Sequence, residues 1–183
     1  SETSPPDSGS KDVVIDAVEC LNGLADAINV TDGAGAKSHM SALATAAILA
    51  QNGIEPILQF TTRDRNRIAI QGDLLGGWAL DIPNILCLYG DEVKGGDQPD
   101  TKEVRDLDTI GILRTAHEIK TKKMYPSGRK INDAPEFFIG GADTPFNVNN
   151  DFDCSNLLKK IEAGVEFFQT QYVFEKDILK DYM

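Results

Sequence analysis

Short continuous apolar runs punctuate the chain, each ending in a polar turn and each followed by a helix-length segment. Ala27-Ile28-Asn29-Val30 runs into Thr31 and Asp32, and Pro56 to Phe60 runs into Thr61-Thr62-Arg63-Asp64-Arg65-Asn66-Arg67. Asn84 to Leu88 leads into Tyr89-Gly90-Asp91, and Glu136-Phe137-Phe138-Ile139 into Gly140 to Asp143. Strands of a parallel sheet covered by helices read this way, because no solvent face calls for strict alternation. The pattern predicts strands at 27–30, 56–60, 84–88, 137–139 and 167–174, with a remnant of another at Glu2, before Pro5-Pro6.

The intervening segments carry helical spacing. From Ser10, the positions Val13, Val14, Ala17, Val18, Leu21 and Leu24 fall on one stripe, and Ser41 to Gln51 is Ala-rich with Gly53 as its stop. Further helices are predicted at 65–80, 109–123 and 156–163, and a last one opens near Glu175. Gly72, Gly76 and Gly77 lower the propensity of the 65–80 helix and predict close packing against a neighbour. Glu92 to Thr101, rich in Gly, Asp and Pro, predicts a mobile lid or a binding loop, and Asp143 to Asp153 a second long loop.

Strand starts roughly 25 to 50 residues apart, alternating with helices, predict an α/β fold of the TIM (β/α)8 type. About six βα units are present where a closed barrel needs eight, in a single domain over 1–183 that looks cut at both ends. Unpaired parallel edges would lower its stability or call for a partner, either a second copy or a larger chain or complex. In such folds ligands bind at the carboxyl ends of the strands, so the polar residues collected there are the site candidates.

Asp32-Gly33-Ala34-Gly35-Ala36-Lys37-Ser38 follows a strand, yet Ala36 stands where the Walker pattern needs Gly and Ser38 where the dinucleotide pattern does. It reads as a tight strand-to-helix connection. Asp91 is either a site carboxylate or a loop anchor. Gln169 and Gln171 share one strand face, and an amide pointing into a barrel must be satisfied by a neighbouring strand or by a ligand.

The 183 residues carry a formal net charge of -11, with 41% apolar and 26% charged residues and no basic cluster, which argues against nucleic acid and anionic membranes. An anionic cofactor would have to be held by local donors such as Arg63, Arg65, Lys159 and Lys160. Cys20, Cys87 and Cys154 form an odd set without Cys-x-x-Cys spacing, consistent with a reducing compartment, and two of them fall in segments read as apolar helix or strand. With no signal peptide and no apolar span, a cytoplasmic location is expected. His39 and His117 lie far apart and give no support to a metal site.

Asn29-Val30-Thr31-Asp32, the Thr-Thr-Arg-Asp-Arg-Asn-Arg run, Asp73-Leu74-Leu75-Gly76, Leu88 to Asp91, Ile139-Gly140-Gly141-Ala142, Lys160-Ile161-Glu162-Ala163-Gly164 and Gln169-Thr170-Gln171 together resemble methylenetetrahydrofolate reductase, in its bacterial Arg-Asp-Arg-Asn branch. The resemblance implies a flavin-binding barrel that reduces 5,10-methylenetetrahydrofolate to 5-methyltetrahydrofolate, with NADH or NADPH reducing the flavin first. Glu2 matches the family's acid and Asp91 its pterin-contacting carboxylate, while Gln171 matches the amide that holds folate or nicotinamide. Thr31, Ala34, Gln59, Tyr89, Gly90, Asp91, Asp153, Asn156, Lys159 and Lys160 fall at cofactor positions, for FAD or alternatively FMN. Gln59 stands where many members have His, and Tyr89 where many have Arg. A glutamate acid with a reference pKa of about 4.3 needs burial or ligand contact to hold a proton at neutral pH. The alternatives are a flavin-free pterin-binding barrel or an inactive binding subunit of a larger one-carbon complex.

Overall fold

Six parallel strands lie side by side in chain order in the computed structural model, which describes residues 1–145 and 153–183. They are β1 (Glu2–Thr3), β2 (Ile28–Val30), β3 (Pro56–Thr61), β4 (Asn84–Leu88), β5 (Phe138–Asp143) and β6 (Phe167–Thr170). Helices α1 (Lys11–Val18), α2 (Ala42–Gln51), α3 (Arg67–Ala79), α4 (Thr109–Lys122), α5 (Ser155–Glu162) and α6 (Lys176–Tyr182) alternate with them. Ser10, Ser41, Asn66 and Asp108 open the first four helices by accepting a first-turn amide, as short polar side chains do at that position. The sheet curls into a half-barrel of the TIM type, far enough for Gln169 on β6 to reach Glu2 on β1.

Period-two alternation splits the strands between two environments. Ile28, Val30, Leu58, Phe60, Ile85, Cys87 and Ile139 point outward into one core with Val14, Val18, Ala46, Leu49, Ile70, Leu74, Ile112, Leu113, Ala116 and Ile119 of the helices. Each fully buried aliphatic side chain there contributes about 1.5–3 kcal/mol. The opposite set, Glu2, Asn29, Gln59, Leu86, Gly140 and Gln169, faces the concave side, consistent with the register pairs Glu2↔Asn29, Gln59↔Leu86 and Leu86↔Gly140. Gly140 leaves room for its neighbour: a Cβ there would lie 2.3 Å from Cζ of Phe167 and would require that ring, which stacks on Phe138 at 4.8 Å, to shift.

Several expectations need correction. The last strand stops at Thr170 instead of reaching 174, and the first helix ends at Val18 with a 3₁₀ turn over Glu19–Leu21. Gly72 and Gly76 face open space, so only Gly77 packs closely, against Leu43, Leu58 and Ile82. The segment after β4, expected as a mobile lid or a binding loop, touches its neighbours: the Val93 amide donates to Glu103, the Val104 amide to the Arg63 carbonyl, and a Cβ on Gly96 would lie 2.0 Å from the Ala36 carbonyl oxygen. Most of the predicted 143–153 loop, residues 146–152, lies outside the described residues. Cys20 and Cys154 are exposed and Cys87 is buried, all three as free thiols, and burial pushes the Cys87 thiol up to about 12. Among the described residues no helix is long and apolar enough to cross a membrane.

Candidate functional site

The inner wall carries the first polar cluster. Glu2 is exposed on its edge strand, and its Oε2 accepts hydrogen bonds from Asn29 Nδ2 at 2.7 Å and from Gln59 Nε2 at 3.4 Å. Gln169 Nε2 reaches the same oxygen at 3.4 Å. Gln59 turns its own Oε1 toward the Asp32 amide, 3.4 Å away, which fixes the orientation of its amide group.

Asp32, at the end of β2, is buried and fully committed. Its Oδ2 accepts from the Thr61 amide at 2.9 Å, the Thr61 hydroxyl at 2.8 Å and Arg65 Nη1 at 2.6 Å. Arg65 also binds Asp73 on α3 at 3.0 Å. Burial works to lower the Arg65 pKa, but hydrogen bonding and charge from Asp32 and Asp73 raise it. The pair therefore joins the ends of β2 and β3 to α3. Thr31, 5% exposed, is turned the other way and donates to Ser4 Oγ at 3.1 Å.

A second knot links three strand-end loops. The 3₁₀ turn Ala34–Ala36 follows Gly33, whose φ is +59°, and the Gly35 amide donates to Asp91 Oδ2 at 2.7 Å. Arg63, 4% exposed, donates to the Gly33 carbonyl at 3.0 Å while its neighbour Asp64 holds the guanidinium by two bonds at 2.8 and 2.7 Å. A Cβ on Gly33 would fall 2.2 Å from Arg63 Nη2, so the close approach requires glycine. Arg105 completes the knot: Nη1 donates to the Tyr89 carbonyl at 2.8 Å, and Nη2 to those of Gly90 and Asp91 at 3.3 Å each. Its guanidinium lies 3.7 Å over the Tyr89 ring. Arg105 itself, with the Val93 amide, holds the Glu103 carboxyl down at about 2.

Between the ends of β4 and β5 and the first residues of α4 and α5 lies a cavity of about 320 Å³, walled by Leu88, Tyr89, Thr109, Ala142, Asn156 and Lys160 among others. Ligand pockets span about 300–1,000 Å³, so this one takes a ring system or a phosphate-bearing tail, not a whole dinucleotide. Its polar wall combines the amide of Asn156, the hydroxyls of Tyr89 and Thr109 and the ammonium of Lys160 with the carboxylate of Asp108. Lys160 is buried, with Nζ 2.6 Å from the Ala142 carbonyl and 3.4 Å from Asp143 Oδ1. The Tyr182 hydroxyl from α6 donates to Asp143 Oδ2 at 2.5 Å, and burial together with that bond pushes its pKa up to about 12.

The candidates thus fall into connected groups. Tyr89, Asn156 and Lys160 share the cavity, Ala34, Gly90 and Asp91 share the loop knot next to it, and Glu2 and Gln59 share the inner wall. Four candidates stand apart, Thr31 with its bond to Ser4 among them. Asp153 is exposed and accepts from the Ser155 amide at 2.8 Å, a bond that holds its pKa low, with the Ser155 hydroxyl adding to it. Lys159 is exposed, and Gln171 lies exposed beyond β6 with its backbone amide on the Asp143 carbonyl at 2.9 Å, so Gln169 is the amide at Glu2. Sequence reasoning missed Asn29 and Arg105. Asn29 had a signal, a lone amide between Ile28 and Val30, whereas Arg105 had none because its partners are carbonyls 14 to 16 residues away.

The family model described as methylenetetrahydrofolate reductase matches residues 2–183. Comparison with curated proteins gives no match.

Proposed function

Since this chain belongs to the methylenetetrahydrofolate reductase family, an oxidoreductase family acting on folate, we propose that it reduces 5,10-methylenetetrahydrofolate to 5-methyltetrahydrofolate with a bound flavin and with NADH or NADPH as donor. The observation that carries this reading is the Glu2 carboxylate on the concave wall, gripped at one oxygen by side-chain amides and open to a ligand on its exposed side. A ring-opening reduction needs one acid placed where the substrate lies.

When bound, the flavin supplies hydride transfer between the nicotinamide and the folate. Tyr89, Asn156 and Lys160 would hold it from the cavity, with Thr31, Ala34, Gln59 and Gly90 at the adjoining strand ends and Asp153 and Lys159 at the start and outer side of α5. Lys160 and Lys159 would face its phosphate portion, whether FAD or FMN. Glu2 would give a proton to the folate, Asp91 would hold the pterin, and Gln171 would hold folate or nicotinamide from beyond the end of β6.

The test is a visible spectrum of the purified protein supplied with FAD or FMN, followed anaerobically. Bleaching by NADH and recovery on adding 5,10-methylenetetrahydrofolate is the expected result. A protein that takes up neither flavin, or whose bleached flavin ignores the folate, overturns the reading.

A further inference from the structure

Four polar side chains of the inner wall meet at a single oxygen atom. Asn29 Nδ2, Gln59 Nε2 and Gln169 Nε2 all donate to Glu2 Oε2, at 2.7, 3.4 and 3.4 Å. Among the described residues no donor reaches Oε1. The orientation of the Asn29 amide is enforced, since turning it over would press its own oxygen against the carboxylate. That orientation leaves Asn29 Oδ1 buried without a partner, on a side chain 1% exposed. Burying an unpaired oxygen is destabilising, and its orientation toward Glu2 gives the reason for it.

An amide N–H can only donate, so Oε2 acts as an acceptor and a proton placed there would confront three others. Resting on the reductase reading above, the geometry points to Asn29 and Gln169 as positioning residues that hold Glu2 by Oε2, so that Oε1 alone carries the proton to the substrate. In the step, the Oε1–H bond breaks and an N–H bond forms on one nitrogen of the methylene-bridged ring. The bond from that nitrogen to the bridging carbon then breaks, its electron pair staying on the nitrogen and leaving an iminium on the other. Glu2 ends as a carboxylate and regains its proton from water, to which its exposed side chain is open. Gln59 joins the grip but is itself tied to Asp32, so Asn29 and Gln169 are the cleaner probes.

Two readouts test this on Asn29→Leu and Gln169→Leu. The first compares half-reactions of flavin-loaded protein: reoxidation by the folate should slow about tenfold or more, while reduction by NADH stays unchanged. The second is the isotope-edited infrared signal of the Glu2 carboxylate, isolated by subtracting the Glu2→Gln spectrum, and it needs neither cofactor nor turnover. The separation between antisymmetric and symmetric stretches is widest when one oxygen is bonded and the other is bare, so it should narrow in both variants. Equal loss in both half-reactions, or an unchanged separation, overturns the assignment. If wild-type flavin is not reoxidised by folate, the proposed reaction falls while the infrared comparison still decides whether Oε2 is gripped. Should Asn29→Leu fail to fold, Gln169→Leu on the edge strand carries both readouts.

Discussion

The Asp91 carboxylate accepts the Gly35 amide at 2.7 Å, across two loops that leave different strands. The residue proposed to hold the pterin is therefore also the tether of the turn that carries Ala34. Replacing it tests both roles at once. Asp91→Asn keeps an acceptor and should keep slow hydrogen exchange at Gly35, whereas Asp91→Ala should speed that exchange about tenfold, the loss of a bond of about 1.4 kcal/mol. Equal exchange in the two variants would show that the tether does not hold the turn.

Arg105 grips the carbonyls of Tyr89, Gly90 and Asp91 and covers the Tyr89 ring. Arg105→Ala is expected to cost about 2 kcal/mol in denaturant unfolding, the range for hydrogen bonds to a charged group. Arg105→Lys should recover less than half of that, because an ammonium has no planar fork to span three carbonyls and stack. Full recovery by lysine would reduce the role to charge alone.

Asp32 and Arg65 form a buried pair, with side chains 8% and 16% exposed. Asp32→Ala should destabilise the protein by about 3 kcal/mol, at the low end for a broken buried pair because Asp73 still neutralises Arg65. The check is a urea midpoint; a change too small to measure would mean that water replaces the carboxylate without penalty.

Tyr182 bonded to Asp143 gives an alkaline prediction. Burial first and the Asp143 bond second raise its pKa in the folded protein from 10.0 to about 12, so the stabilisation of the protonated hydroxyl is full below pH 10 and is lost as pH rises to about 12. The stability gap between wild type and Tyr182→Phe should therefore be constant up to about pH 10 and close by about pH 12. A gap that persists above that would assign the effect to packing.

Strand positions were legible because the apolar runs are short and bounded, and Ile28, Leu58, Ile85 and Ile139 all enter the outer core. The inner wall was legible only in part. Gln169 and Gln171 share a face on an ideal strand, but β6 ends at Thr170, so one amide meets Glu2 and the other leaves the wall. Lys160 was legible as a cation available to an anionic cofactor, but nothing local announces that α5 presses it against the Ala142 carbonyl. Gly140 was visible as a glycine, but the ring it leaves room for, that of Phe167, comes from a strand 27 residues on. What escaped the sequence was contact between segments that alternate with intervening helices, where spacing carries no information about who meets whom.

The three thiols divide into two that reagents can reach and one that they cannot. Cys20 sits just past α1 and Cys154 just before α5, both exposed, while Cys87 is walled into the core with its thiol pushed up to about 12. Unmutated protein thus accepts a donor and an acceptor dye at two places only, one at the end of the first helix and one where α5 meets the cavity. Energy transfer between them would follow the second site relative to the first as ligands are added, without altering a single residue.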